Sequence, residues 1–409
     1  NSSCRPHVAR PGSTPAYAWC VVARRLDDSW EPSASSSRFI ISGRRVIIMG
    51  ATFRICVLPG DGIGTEVTTA TLAVLDAATR HAGNIDLVYE SCAAGAALYR
   101  ETGVAMPEES WRVAEAADAI FLGAMGLPDV RYDDGTEITP QLDLRFRFDL
   151  YAGVRPVSAK RGGMRVLNDS RADNIDFVLV RESTEGLFAS CGKGEVLDDR
   201  EARDTMVITR ETSEQLFGFT FDYARRRKSS RERPKVTLVD KANIFTSMAF
   251  FRKVFDEAAE KHSDIDVEHV YVDACALDFV RRPWEFDVVV TENMFGDILS
   301  DLAAGLVGGM GFAPSADIGD QRAVFQPAHG SAPDIVGLGT ANPTAAILSG
   351  AMMLEWLGRR HGVSQCLDAA RLIEQAVEQV LAKKRMNAVD MIDTWRTSEM
   401  TEMVIGAIG

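Results

Sequence analysis

The stretch Phe53-Arg-Ile-Cys-Val-Leu-Pro-Gly-Asp-Gly-Ile-Gly64 decides the fold class, because it joins an apolar run to a turn that holds three glycines. The run from Arg54 to Leu58 predicts a strand, and the residues from Val67 to Arg80 predict a helix after the turn. The alternation continues, with further strands predicted at Ala119 to Leu122, Phe177 to Val180, Lys235 to Val239 and Asp287 to Val290. Strands that alternate with helices indicate an α/β fold.

The glycine turn allows two interpretations. Gly60, Gly62 and Gly64 are spaced Gly-x-Gly-x-Gly, whereas the dinucleotide-binding fingerprint is Gly-x-Gly-x-x-Gly. The turn can be a tight link between strand and helix that needs positive φ angles, or it can contact a cofactor. The spacing alone does not decide between them.

Composition and charge limit the class of protein. A chain of 409 residues, 46% apolar and 25% charged, is long enough for two packed domains. Its formal charge of −13 argues against nucleic-acid binding, so a negatively charged substrate would need a local cluster of arginine or lysine. No apolar run reaches the roughly 18 residues of a membrane span. The seven scattered cysteines, without a Cys-x-x-Cys pair, predict reduced thiols in a cytoplasmic protein.

Residues 1–48 differ in composition from the rest of the chain. They are rich in Ser, Arg and Pro and lack a sustained helical or strand period, which predicts a disordered extension. Met49 stands immediately before the first predicted strand and is the expected start of the folded part of the chain. The favoured interpretation is a translated extension that is not part of the folded protein. The alternative is an organellar transit segment, which would also be rich in Arg and Ser.

A pair of aspartates, Asp297 and Asp301, lies in the segment Asn293-Met-Phe-Gly-Asp-Ile-Leu-Ser-Asp301. The segment is predicted to be helical, so both carboxylates project from one face, about 5–6 Å apart at Cβ. The neighbouring Gly296 and apolar residues argue against a plain solvated face. Hard divalent cations such as Mg²⁺ or Mn²⁺ prefer oxygen ligands of this kind, with water and substrate in the other positions.

Several longer motifs follow one another in a fixed order. They are Leu58-Pro-Gly-Asp-Gly-Ile-Gly64, Leu144-Arg-Phe-Arg-Phe-Asp-Leu-Tyr-Ala-Gly-Val-Arg-Pro156, Val180-Arg-Glu-Ser-Thr-Glu-Gly186, Asp240-Lys-Ala-Asn243, Val272-Asp-Ala274, Asn293 to Asp301 and His329-Gly-Ser-Ala-Pro-Asp334. In these motifs the chain, from about residue 53 to the C-terminus, resembles the isocitrate/isopropylmalate/tartrate dehydrogenase family.

The resemblance implies an isopropylmalate-dehydrogenase-like two-domain α/β fold with a mixed sheet, different from a Rossmann fold. Residues 50–151 together with 308–409 would form the domain on the cofactor side. Residues 152–307 would form the second domain, which carries the dimer interface and the metal site. The same resemblance implies a homodimer whose active sites are shared between subunits.

The resemblance also implies a clamp for the substrate carboxylates, formed by Arg145, Arg155 and Arg181. Planar guanidinium groups bind carboxylates through paired, charge-assisted hydrogen bonds. The clamp would therefore supply the local positive charge that an acidic protein needs for a negatively charged substrate.

By the same resemblance, Asp273, Asp297 and Asp301 bind Mg²⁺ or Mn²⁺, which would polarise the substrate hydroxyl. Lys241 matches the family's catalytic lysine, whose neutral amine would take the hydroxyl proton. The catalytic residues Lys241 and Asp273 are both expected from the second subunit.

The implied cofactor is NAD. A carboxylate at Asp334 can accept hydrogen bonds from both ribose hydroxyls but would repel a 2′-phosphate, which favours NAD over NADP. Asn243 would lie near the nicotinamide. The expected cofactor-binding residues are Ile63, Asn243, His329, Gly330, Ser331, Ala332, Asp334 and Asn342.

Four positions depart from the family pattern. Phe188 stands where the family has a tyrosine that protonates the enolate carbon, and phenylalanine has no proton to give. Gln326 replaces the usual glutamate and is expected to soften the cofactor contacts. Ile138 replaces the acidic residue usual in isopropylmalate enzymes, and Gln141 replaces an apolar residue that would meet the isopropyl group.

The sequence therefore predicts a metal-dependent, NAD-linked oxidation, with decarboxylation, of a malate-type 2-hydroxy diacid. The substrate stays open among D-malate, tartrate, 3-isopropylmalate and their relatives. The alternative is a catalytically silent or regulatory paralogue, because Phe188 replaces the tyrosine. Retention of three arginines, three aspartates and the lysine argues against it, since a silent subunit has no need to hold a metal beside a carboxylate clamp.

Overall fold

A mixed sheet of ten strands organises the part of the chain that the computed structural model describes, which is residues 50–227, 232–387 and 396–409. The predicted extension, residues 1–48, lies outside these residues. The described residues contain twelve strands, ten in this sheet and two, β6 and β7, outside it. They are β1 (Ala51–Gly60), β2 (Ile85–Ser91), β3 (Ala119–Ala124), β4 (Ala152–Ser158), β5 (Asp176–Glu182), β6 (Glu195–Leu197), β7 (Glu201–Arg203), β8 (Lys235–Asp240), β9 (Asp266–Tyr271), β10 (Val288–Thr291), β11 (Pro314–Ile318) and β12 (Ala323–Pro327).

Helices cover the sheet and connect its parallel strands. They are α1 (Gly64–Ala82), α2 (Ala96–Thr102), α3 (Glu108–Ala116), α4 (Pro140–Arg147), α5 (Arg210–Arg226), α6 (Thr246–Ala259), α7 (Val272–Arg281), α8 (Asn293–Leu306), α9 (Thr344–His361), α10 (Ser364–Asn387) and α11 (Thr397–Ile408). Helices α1, α9, α10 and α11 pack on one another, and α9 also contacts β3, β11 and β12. Among the described residues, no helix has the length and apolar character that a membrane crossing requires.

The strand order across the sheet is β2-β1-β3-β12-β11-β4-β5-β10-β8-β9, and β6 pairs with β7 in a separate antiparallel ribbon. Strands β2, β1, β3 and β12 are parallel, as are β5, β10, β8 and β9. Between these two groups, β11 and β4 are antiparallel to each other and to their outer neighbours. The predicted mixed sheet of the α/β fold is therefore confirmed.

The five predicted strands and the predicted first helix are present, with small shifts at their ends. The first helix begins at Gly64, earlier than predicted, and the strand predicted from Asp287 begins at Val288. The Asp287 carboxylate instead accepts hydrogen bonds from the backbone N–H of Lys235 and from Arg227. A buried carboxylate is stable there because it has these donors.

The strands from residues 50–151 and 308–409 occupy one end of the sheet, and the strands from residues 152–307 occupy the other. The described residues between 50 and 409 nevertheless form one compact unit. The division into two domains stays a prediction.

Candidate active site

Three arginines from different elements are buried together near the centre of the sheet. Arg145 lies near the end of α4, Arg155 lies on β4 and Arg181 lies on β5. Buried guanidinium groups need anionic or carbonyl partners, because burial removes the water that would otherwise solvate their charge. Their partners therefore define the site.

A buried carboxylate on β11, Asp317, joins two of the arginines. Arg145 Nε donates to Asp317 Oδ2 over 3.0 Å, and Arg155 Nη2 donates to Asp317 Oδ1 over 3.2 Å. Arg155 Nη1 also donates to the carbonyl of Ala316. Among the described residues, neither Nη1 nor Nη2 of Arg145 has a hydrogen-bond partner, so this fork is the part of the cluster that can bind a ligand carboxylate.

Strand register places these side chains on one face. Gly153 on β4 is opposite Asp317 on β11 and opposite Arg181 on β5. A Cβ at Gly153 would lie 3.1 Å from Asp317 Oδ1 and 2.6 Å from Ser183 Oγ. The absence of a side chain at Gly153 therefore lets the side chains of the outer two strands approach each other across β4.

Gln326 on β12 also belongs to this cluster. Its Nε2 donates to Asp317 Oδ2 over 2.9 Å, and its backbone carbonyl accepts a hydrogen bond from Ser349 Oγ. The sequence predicted an effect of Gln326 on the cofactor loop. The structure gives it a direct contact with the carboxylate that holds the arginines.

Helix α8 holds the third arginine. Arg181 Nε and Nη2 donate to Asn293 Oδ1 over 2.9 and 2.6 Å, and Arg181 Nη1 donates to Asp297. A Cβ at Gly296 would lie 2.6 Å from Arg181 Cγ, so only glycine leaves room for the arginine stem. Glu292 accepts from the first backbone N–H groups of α8 and so caps the helix. The predicted helix around Asp297 is thus confirmed, and it packs against the arginine cluster.

The charges within the cluster shift one another's pKa values. Burial, and then the nearby charge of Arg145, lowers the pKa of Arg181 to about 10. Burial alone would raise the pKa of Asp317, but the attraction of Arg145 and Arg155 outweighs it and lowers that pKa. At neutral pH Arg181 and Asp317 are therefore both charged.

The pair Asp297 and Asp301 projects from α8 next to this cluster. Burial, followed by the charge of Asp297, raises the pKa of Asp301. A nearby cation would favour the ionised form of Asp301, and the carboxylate oxygens of this pair suit Mg²⁺ or Mn²⁺. The donor set therefore fits a hard divalent metal.

Asp273 and Lys241 lie elsewhere in the same chain. Lys241, just after β8, donates to Asp273 at the start of α7. That hydrogen bond lowers the pKa of Asp273. In the described part of a single chain, no group of three or more acidic, histidine or cysteine side chains is close enough to hold a metal. Asp273 thus does not join Asp297 and Asp301 within one chain.

The glycine turn contacts the loop that follows β12. Gly60 and Gly62 have φ angles of +75° and +58°, so the predicted need for positive φ is confirmed. The backbone N–H of Ile63 donates to the carbonyl of Ser331 over 2.8 Å, and a Cβ at Gly62 would lie 2.0 Å from that carbonyl oxygen. Asp61 accepts from backbone N–H groups after β3 and at the start of α2, which fixes the turn. The turn and the loop thus form one surface.

The other expected cofactor residues divide between two places. His329 and Asp334 lie in the loop after β12, and burial lowers the pKa of His329. In the described structure, the buried Nε2 of His329 has no hydrogen-bond partner. Asn342 Oδ1 accepts from Thr344 at the start of α9, so part of this side chain is already engaged. Asn243 is exposed and lies two residues after Lys241, in a different segment of the chain from the loop after β12.

Phe188 lies against the arginine cluster. The Arg181 Cζ atom is 5.0 Å from the centre of the Phe188 ring, an arrangement in which the ring face attracts the cation. Phe188 therefore lies at the candidate site.

Comparison with known proteins agrees with this arrangement. Residues 54–404 match the family model described as isocitrate/isopropylmalate dehydrogenase. The chain belongs to the isocitrate/isopropylmalate dehydrogenase family. Similar family members include the 3-isopropylmalate/3-methylmalate dehydrogenase of Methanocaldococcus jannaschii, 42% identical over 86% of this chain and 97% of that protein. The 3-isopropylmalate dehydrogenase of Geobacillus kaustophilus is 39% identical over 87% of this chain and 95% of that protein.

A solved family structure, isocitrate dehydrogenase from Methylococcus capsulatus, superposes with a TM-score of 0.74 at 37% identity. The match covers 87% of this chain and 99% of that chain. The predicted family and fold are thus confirmed, and the chain is a hydroxy-acid dehydrogenase of a decarboxylating family. The alternative of a silent paralogue is not favoured, because these relatives are named as dehydrogenases.

Asp317 and Asn293 had no predicted role, although both contact the clamp arginines. Asp317 had one usable signal, since it is a lone carboxylate within the otherwise uncharged strand Pro314-Ser-Ala-Asp-Ile318. A buried aspartate in such a strand needs a cationic partner. Asn293 begins the motif that contains Asp297, but nothing in its local sequence links it to Arg181.

Proposed function

We propose that this chain catalyses a metal-dependent, NAD-linked oxidation, with decarboxylation, of a malate-type 2-hydroxy diacid. The observation that carries the proposal is the buried cluster of Arg145, Arg155 and Arg181 beside the Asp297 and Asp301 pair. A carboxylate clamp next to a hard-metal site suits a substrate with a hydroxyl group and two carboxylates.

Within the clamp, the three arginines have different tasks. Arg155 is committed to Asp317 and to backbone carbonyls, and Arg181 is committed to Asn293 and Asp297. The fork of Arg145 is open, so it would make the paired contact with a substrate carboxylate. The other two would position that carboxylate by charge.

A metal held by Asp297, Asp301 and the partner subunit's Asp273 would supply Lewis-acid polarisation of the substrate hydroxyl. Lys241 would then take the hydroxyl proton at its Nζ. Its hydrogen bond to Asp273 in the same chain keeps these two groups together, so they can act as a unit in a neighbouring site.

Exposed apolar side chains around these groups support a homodimer. Leu277 and Val280 on α7, Ile298 on α8, and Ile244 and Phe245 after Lys241 are all exposed, with Ile298 at 62% and Ile244 at 64%. Apolar residues grouped on one surface mark contact with another protein. A second copy of the chain seated there would cover them and bring Lys241 and Asp273 to the partner's clamp.

NAD is proposed as the cofactor, bound at the surface formed by the glycine turn and the loop from His329 to Asp334. Asp334 is exposed and its carboxylate is free to accept the ribose hydroxyls, which favours NAD over NADP. A cytoplasmic location is proposed as well. It is supported by the free thiols of Cys56, Cys92, Cys191, Cys275 and Cys366.

Phe188 bears on the second half of the reaction. Its ring cannot donate a proton, so hydroxyl oxidation would proceed normally while protonation after loss of CO₂ would be slow, altered or assisted by water. The amounts of CO₂ and NADH formed per turnover test this step. Equal yields at ordinary rates would contradict it.

The activity itself is tested with a panel of diacids and triacids, each supplied with NAD⁺ and Mn²⁺. The panel contains D-malate, L- and meso-tartrate, 3-isopropylmalate, isocitrate and homoisocitrate, and NADH formation is the readout. Reduction of NAD⁺ with at least one malate-type diacid is expected. No reduction with any of them, combined with activation of another subunit, would favour a regulatory role.

A further inference from the structure

We propose that Asp61 is a positioning residue for the cofactor, which holds the loop from His329 to Asp334 in its NAD-binding shape before NAD binds. The inference rests on the proposed function and deepens it on the cofactor side of the site. It depends on a strained residue in that loop, Ala332, and on the hydrogen bonds that connect Asp61 to the residue before it.

Ala332 has a backbone conformation that alanine rarely adopts. Its φ angle is +39°, in the left-handed region where the Cβ of an L-residue crowds the backbone. The other described residues that have a positive φ and are not glycine are Asn84, Asp149, Asp198 and Asp199, whose side chains tolerate this region. A strained conformation persists only where the surrounding structure holds it, and such residues cluster at ligand-binding sites. The contacts around Ala332 must therefore supply the restraint.

Ser331, immediately before Ala332, is fixed at two points. Its backbone carbonyl accepts a hydrogen bond from the N–H of Ile63 over 2.8 Å, and its Oγ donates to the carbonyl of Gly126. Only 5% of Ser331 is exposed, so water has little access to these bonds. The Ser331 carbonyl belongs to the peptide group that precedes Ala332, and the orientation of that group sets the φ angle of Ala332. The two bonds therefore hold the strained conformation from two sides.

Asp61 in turn holds Gly126. Its Oδ2 accepts hydrogen bonds from the backbone N–H groups of Gly126 and Ala96, and its Oδ1 accepts one from Ala97, each over 2.8 Å. The residue is only 2% exposed, and a carboxylate can accept all of these bonds because it carries no donor. Gly126 bonds to Asp61 through its N–H and to Ser331 through its carbonyl. One residue thus carries the restraint from the carboxylate to the loop.

Loss of the Asp61 carboxylate would release this restraint. Asp61→Ala leaves the N–H of Gly126 without its acceptor, so the Gly126 carbonyl is no longer fixed for Ser331 Oγ. The peptide group before Ala332 then keeps only its bond to Ile63, and Ala332 can relax to an ordinary negative φ. NAD would have to restore the strained conformation when it binds, which weakens its binding.

The direct test measures the binding of NADH to the full chain by the fluorescence of the bound cofactor. D61A should raise the dissociation constant of NADH roughly 5- to 30-fold, which is the range that corresponds to one strained residue. D118A is the matched control, because Asp118 Oδ2 also accepts a backbone N–H, that of Arg54 on β1, over 2.7 Å. Its dissociation constant should stay at the wild-type value.

A332G separates positioning from general damage to the fold. Glycine adopts a positive φ without strain, so a loop with glycine at position 332 no longer needs the restraint. D61A/A332G should therefore bind NADH within roughly threefold of A332G alone. S331A removes the bond to Gly126 at its other end, and its loss of affinity should likewise shrink in the A332G background. A contact made directly by Ser331 to NADH would give a loss that A332G does not reduce.

The inference is overturned if folded D61A binds NADH within roughly threefold of the wild type, or if D61A loses as much affinity in the A332G background. If D61A does not fold, S331A decides, and a loss that A332G leaves unchanged overturns the inference. In all these cases wild-type NADH binding still supports the proposed cofactor. If the wild type binds NADPH and not NADH, the proposal of NAD fails, and the same variants measured with NADPH decide the role of Asp61. If it binds neither, both are overturned.

Discussion

The substitution Arg145→Lys separates two roles of this side chain, the ion pair with Asp317 and the paired contact with a substrate carboxylate. The charge is kept, but the planar fork that Arg145 presents to a substrate carboxylate is lost, and lysine cannot replace it with paired donors. The side chain is buried and its Nε bonds to Asp317, so lysine would be drawn toward that carboxylate and away from the ligand.

The expected magnitude follows from the hydrogen bonds lost. A hydrogen bond to a charged group contributes about 1.5–3 kcal/mol, so the loss of one from the fork lowers kcat/KM roughly 10- to 150-fold. The free energy of unfolding should fall by only about 1–2 kcal/mol, because a cation still faces Asp317. The effect should lie mainly in KM, since the contact binds substrate before the chemical step.

Arg147→Lys is the matched control on the same helix. Arg147 is 2.6 Å from Glu115, and both side chains are more than two-fifths exposed, so the pair contributes only about 0–1 kcal/mol. Steady-state kinetics with the preferred diacid and thermal unfolding are measured for both variants. The reasoning is refuted if R145K keeps kcat/KM within roughly threefold of the wild type, or if R147K loses as much.

Three other changes have definite expected outcomes. F188Y places a hydroxyl beside Arg181, and this hydroxyl can donate the proton that phenylalanine lacks. The variant should release one CO₂ per NADH and decarboxylate about 100-fold faster or more. An unchanged CO₂-to-NADH ratio in a rapid-quench assay would argue against this role of residue 188. Burial raises the pKa of Glu182 to about 7, so the folded protein holds a proton there that the unfolded chain releases at lower pH. The free energy of unfolding should therefore fall as pH rises from the ordinary glutamate pKa toward 7, and urea titrations of E182Q should show a flatter dependence on pH. I298R places a charge on the exposed apolar surface of α8 and should convert the dimer to monomers with loss of activity, which light scattering would contradict if the mass stayed dimeric.

The sequence predicted the elements of the fold that depend on local patterns of apolar residues. The apolar runs that became β1, β3, β5, β8 and β10 are buried on both faces, and continuous apolar runs of this kind mark central parallel strands. The boundary at Asp287 was wrong by one residue because its carboxylate has distant partners that local periodicity does not encode. The resemblance of motifs, and not periodicity, supplied the mixed topology.

The three arginines, Asp297 and Asp301 could be predicted as site residues because each lies in a motif that resembles a family motif and occurs in the same order along the chain. Asp317 and Gln326 could not be linked to them, since their contacts depend on which strands become neighbours. Asp317 meets Arg145 across 172 positions of sequence, and Gln326 meets Asp317 only because β11 and β12 pair antiparallel. Contacts of this kind are set by tertiary register, which a single sequence does not reveal.

The antiparallel pairing of β11 with β4 has a mechanical consequence. On the predicted division of the chain, Asp317 and Arg145 belong to one domain and Arg155 to the other, so the hydrogen bond from Arg155 to Asp317 crosses the boundary where the two parallel groups of strands join. Any opening or closing of the two halves must then pivot about this pairing and leave it intact. Substrate would bind next to the axis of rotation, where atoms move least, while the cofactor loop would move through a larger arc around it.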